Sequence, residues 1–168
     1  MSDMSLLITV IMWFHIFSAV GWMGSVLVFR LLVTPLMPKF SAPTRGELVV
    51  KLFPNFVNAL AIFATSTGVF GLFHLLASSI EEPSHFSLIL PPIVIGATLA
   101  VILYLVLLFV VRPSIMRMSR ILSEMQAKNQ QQPPPELPKL QKRVATLANV
   151  GLILLIVILA FMVYAGEL

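Results

Sequence analysis

The 168-residue chain has no cysteine. Disulfides, thiolate metal sites, iron–sulfur ligation and cysteine nucleophiles are therefore excluded, and the redox compartment is left open. Charge is scarce as well. Only 11% of residues are charged, against about a quarter in a soluble domain. The sequence has no HExxH, no P-loop, no Gly-rich dinucleotide fingerprint and no serine triad, so no soluble-type active site is legible. No acidic residue lies inside a long apolar run, which leaves a carboxylate proton relay nothing to use.

What the chain has in abundance is apolar surface. Its residues are 58% hydrophobic and its mean hydropathy is +0.98. Too little polar surface exists to clothe a soluble fold, so lipid must be the solvent. A bilayer span takes about 20 apolar residues. Four runs qualify, at about 6–29, 56–80, 88–111 and 144–164. The expected fold is all-α: one integral membrane four-helix bundle over 1–168, with loops at 30–55 and 112–143. The first run reads as a span rather than a secretory signal, because it is long and is preceded by Asp3 instead of a basic leader.

Charge sets the expected orientation. All eleven basic residues fall in the two longer loops. The N-terminus, the Glu81–Ser87 connection (which carries His85) and the C-terminus hold only acidic charge. By the positive-inside rule the basic loops are cytoplasmic and both termini lie outside. This asymmetry also explains the net charge of +4 without a nucleic-acid partner.

The loops carry local signals. Thr44 and Glu47 have capping-box spacing, which predicts a short interfacial helix over 44–53 that stops before Pro54. Ile115, Met118, Leu122 and Met125 recur at helical spacing, so the third span should continue past Arg112. Residues 129–135 read as a Gln- and Pro-rich linker. Pro138 suits a first helical turn, which predicts that the fourth helix starts near Leu137. No internal repeat stands out.

Ionisable residues inside a span default to a functional hypothesis. In this chain they are His15 and His74. At about 1.5 Å per residue, His15 lies roughly 13 Å and His74 roughly 9 Å below the outer ends of their helices, so the two can share a level. The face of His15 reads Ile11, His15, Ser18, Trp22, Ser25. That of His74 reads Ala64, Thr67, Gly71, His74, Ser78. Small and hydroxyl residues beside each histidine leave room for a cofactor, and they serve equally for helix packing; the histidines themselves read equally as ligands or as structural side chains bonded to a neighbouring carbonyl. Two ligands suit the pair. Haem b takes imidazole axial ligands. Copper(I) favours imidazole with thioether, for which Met12 is the first partner; Met162 lies in the outer half of the fourth span, where it could approach, and Met4 near the outer surface. Gap-filling is the other reading of these methionines. Asn149, Tyr104, Tyr164, Thr65 and Thr98 fit cross-helix bonding, while Arg30 and Arg112 fit anchoring at the interface.

The segment Trp13-Phe-His15-Ile-Phe-Ser18-Ala-Val-Gly-Trp22-Met-Gly24, followed by Arg30 and Pro35, resembles the copper resistance D (CopD-like) family and the related HemJ-like membrane protoporphyrinogen oxidase family. Thr67-Gly68 is similar to the second helix of these families. The likeness spans about residues 10–80. It implies a plasma (inner) membrane bundle. By the first family it implies copper homeostasis or transport; by the second, haem b on His15. The oxidase family's span-four Arg and Asn-Glu-x-Pro segment is not matched: Lys142-Arg143 leads into Leu147-Ala-Asn149-Val with neither Glu nor Pro. The resulting expectation is a CopD-like protein binding copper or haem b near the outer leaflet, for copper handling or membrane electron transfer. His15, His74 and Met12 are the metal candidates, and Trp22, Ser18 and Gly71 are cofactor neighbours. The alternative is a non-catalytic subunit associated with other membrane subunits; porphyrinogen oxidation is a further alternative.

Overall fold

A computed structural model describes residues 3–81, 83–128, 130 and 132–167. Every regular element among them is helical. Four helical stretches are long and apolar enough to cross a membrane. The first helix, Asp3–Val28, runs on through a π turn at Phe29–Val33. A short helix, Ala42–Glu47, passes through a π turn at Leu48–Leu52 into the second helix, Phe53–Glu81. The third helix, Pro83–Val106, continues through a π turn at Leu107–Val111 into an extension, Arg112–Ala127. The fourth helix is Glu136–Gly166.

Each π turn ends two residues before a proline: Pro35, Pro54 and Pro113. Proline has no N–H, and its ring collides with the carbonyl four residues earlier. Widening the turn relieves that collision. The N–H groups of Thr34, Phe53 and Arg112 then donate five residues back, to Phe29, Leu48 and Leu107. One carbonyl that loses its usual donor, that of Val50, accepts a 3.2 Å bond from the Ser119 hydroxyl on the extension.

This device corrects one expectation. Pro54 does not end a separate helix, because the chain stays helical from Ala42 to Glu81. The cap also differs. Ser41 is the N-cap, with its Oγ accepting from the Thr44 N–H, while Glu47 pairs with Lys51. Pro43 in the first turn favours that earlier start. His85 falls within the third helix rather than in a loop, although its side chain lies outside the described residues. The amphipathic extension and the start of the fourth helix match the sequence reading.

The helices form a ring in chain order. The first packs chiefly on the second and the third on the fourth, and contacts of second with third and first with fourth close the circle. Lipid tails are as apolar as leucine, so close packing must hold such a bundle together. Glycines permit it. A Cβ on Gly21 would sit 2.6 Å from the Phe63 ring, and one on Gly96 would sit 2.8 Å from the Met162 methyl. Four aromatic contacts join the first and second stretches: Phe14–Phe70, Phe17–Phe63, Phe29–Phe53 and Phe29–Phe56. Each is worth about 0.5–1.5 kcal/mol beyond the area it covers.

The core is lopsided. All four helices meet around a small apolar cavity of about 70 Å³ whose lining includes Trp22, Val57, Leu107 and Gly151. This cavity lies toward the end that carries the basic residues, the basic end of the bundle. Among the described residues, the first helix has no buried position before Ser18 and the second has none beyond Ala64.

Candidate functional site

His15 and His74 lie away from the basic end, where the first and second helices run side by side. His15 points at the second helix. Its Nδ1 is 2.9 Å from the carbonyl oxygen of Thr67. A carbonyl can only accept, so Nδ1 carries a proton, and in the neutral imidazole the lone pair is then on Nε2. The Thr67 hydroxyl meanwhile donates to the Phe63 carbonyl. That leaves the Thr67 backbone oxygen, not its side chain, to orient the imidazole.

Gly71 makes this contact possible. A Cβ at residue 71 would lie 2.8 Å from His15 Cε1 and 2.9 Å from Nδ1. The ring therefore rests directly on the backbone of the second helix. His74 follows three residues later on the same face of the second helix. Both histidines are half-buried.

Comparison with known proteins finds no match to any family model, curated protein or solved structure. What the site can do rests on its own geometry.

The pair offers two imidazole nitrogens from adjacent helices. No cluster of three or more His, Asp or Glu side chains forms among the described residues, so further ligands would have to be thioether or exogenous. Met12 sits three residues before His15 and is 45% exposed, on the periphery of the pair. Met162 packs over Gly96 of the third helix, which occupies it elsewhere. The Met4 side chain lies outside the described residues. Ser18 and Trp22 share the His15 stripe but are buried, at 4% and 5% exposed, and Trp22 lines the central apolar cavity. The structure thus brings His15, Thr67 and Gly71 together, with His74 about one turn further along the second helix, and sets Trp22 roughly 10 Å along the axis of the first.

At the level of His15 the first and second helices are in direct contact. The His15 ring already touches the second helix at Gly71, so no slot separates them. A metal ion needs only lone pairs at about 2 Å.

Two further polar contacts lie at the basic end. The Arg30 Nε donates to the Asn149 Oδ1, joining first and fourth helices. The Arg112 Nε donates to the Asn58 Oδ1 at 3.0 Å, joining the third helix's extension to the second helix. Both arginines read as interface anchors in the sequence, and of their two asparagine partners Asn149 is the one singled out there for cross-helix bonding. The other pair has a weak signal in Asn58, an amide near the start of an apolar run. Thr65 and Tyr104 also bond, at 2.9 Å, across the second and third helices.

Proposed function

We propose that this chain is a small CopD-like membrane protein that binds copper through His15 and His74, in the service of copper handling. The observation that carries this reading is the His15–Thr67 bond, which presents Nε2 as an oriented donor. Metal-ligating histidines characteristically give their other N–H to a carbonyl or carboxylate in this way. Imidazole with an adaptable thioether favours copper(I) over harder ions, and Met12 is the nearest such group along the chain. When bound, the ion would supply soft Lewis acidity. The chain's own part is to orient His15, hold His74 beside it and keep both in an apolar surround. The reading includes a plasma-membrane location with the basic end in the cytoplasm and both termini outside, as the loop charges imply.

Protein purified from its native membrane, assayed for copper and by visible absorption, tests the reading. About one copper per chain with no Soret band is expected, with loss of the metal in His15→Ala. A Soret band that disappears in His15→Ala would replace copper with haem b. Protein carrying neither, whose size on a native gel far exceeds a monomer and does not respond to either histidine variant, would favour the subunit reading.

A further inference from the structure

At the basic end a cleft of about 540 Å³ opens between the third and fourth helices. Its apolar wall is formed by Val106 and Val110, the latter inside the π turn, together with Leu147. Its polar rim is formed by Lys139, Lys142, Arg143 and Thr146. The fourth-helix members are spaced 139, 142, 143, 146 and 147, which is one continuous helical stripe. Over its length the lining passes from three cations, through one hydroxyl, to hydrocarbon side chains. No acidic residue lines the cleft.

The cations are uncommitted. Arg117 pairs with Glu136 and Lys51 with Glu47, while Arg30 and Arg112 bond to Asn149 and Asn58. Among the described residues, Lys139, Lys142 and Arg143 have no ion pair. Three like charges within about one helical turn of each other repel unless an anion lies between them. The anion must also match the apolar wall of Val106, Val110 and Leu147 beside the cations.

We infer that this cleft binds an anionic phospholipid, with the headgroup phosphate held by Lys139, Lys142 and Arg143, the Thr146 hydroxyl donating to a phosphate or ester oxygen, and an acyl chain lying along Val106, Val110 and Leu147. Basic pockets between membrane helices suit such headgroups because cation attraction and chain burial act together. A free phosphate would use the rim and leave the wall idle, whereas a zwitterionic lipid would bring its own cation into the cluster. The inference does not depend on the histidine site.

Native mass spectrometry of the full chain tests it, with dioleoyl-phosphatidylglycerol, dioleoyl-phosphatidylcholine and inorganic phosphate as probes. Phosphatidylglycerol should bind best. The variant Lys139→Gln/Lys142→Gln/Arg143→Gln should weaken it about 100-fold, at roughly five-fold per cation. Thr146→Trp, which keeps every charge but fills the cleft, should also block binding. A control, Lys39→Gln/Arg45→Gln/Lys128→Gln, removes equal charge outside the cleft and should retain binding. Circular dichroism confirms that each variant is folded. Equal loss in both triple variants would reduce the effect to diffuse attraction and overturn the proposal. So would undiminished binding in Thr146→Trp, or phosphatidylcholine binding as tightly as phosphatidylglycerol. Inorganic phosphate binding as tightly as the lipid would assign the cleft to a soluble anion instead.

Discussion

The imidazole of His15 is held by a backbone oxygen, that of Thr67, across a gap that only a residue without a side chain at position 71 permits. Orientation of the candidate ligand and close approach of two membrane helices are thus the same structural fact. Either can be perturbed through the other.

Gly71→Ala should therefore weaken copper binding without removing a ligand. The added methyl collides with the His15 ring, and the ring must turn away from Thr67. Loss of such an orienting contact typically lowers metal affinity about 10- to 100-fold. Competition titration with a copper(I) chelator reads this directly. Unchanged affinity would mean that the ring's orientation is irrelevant to binding.

A matched pair of glycines separates packing from composition. Gly21→Ala meets the Phe63 ring and should cost about 1–3 kcal/mol. Gly24→Ala finds nothing within 4 Å and should stay within about 0.5 kcal/mol of wild type. Reversible unfolding in mixed detergent micelles measures both.

Ser119 and Pro54 should be coupled. In the native chain the Ser119 hydroxyl serves the Val50 carbonyl that Pro54 cannot reach. Ser119→Ala should cost about 0.5–1.5 kcal/mol. In a Pro54→Ala background the restored N–H competes for the same oxygen, so the cost should shrink. A double-mutant cycle showing strict additivity would contradict this coupling.

Arg30 and Asn149 should likewise show coupling in a cycle of Arg30→Gln and Asn149→Leu. Both groups are partly or largely exposed, so a value of about 0.5–1 kcal/mol is expected rather than that of a buried charge pair. Thr98, whose hydroxyl bonds within its own helix to Val94, should show no coupling with Arg30.

Much of the architecture is legible in the residues alone, because apolar runs long enough to span a bilayer have few other fates. The shared face of Gly71 and His74 follows from helical spacing. Three things do not. Pro54 reads as a stop in sequence, whereas a widened turn and a remote serine let the helix continue. A carbonyl partner for His15 is among the readings the sequence allows, but which carbonyl it is, that of Thr67, leaves no trace in residue identity. The stripe joining His15 to Trp22 is real, yet spacing cannot say how far along a helix one environment extends. In this bundle it changes near Ser18, from the helix-pair interface to the four-helix core. The basic cleft is hidden for a related reason: it depends on the relative rotation of the third and fourth helices, which periodicity leaves free.

The uneven core has a mechanical implication. Where the four helices meet, they behave as a clamped base. Toward the opposite end, the first and second helices form a prong zipped by Gly71, Phe14 and Phe70, with no buried anchor of its own among the described residues. A substitution at the histidine end should therefore disturb the approach of the first two helices while leaving the four-helix base around the central cavity in place.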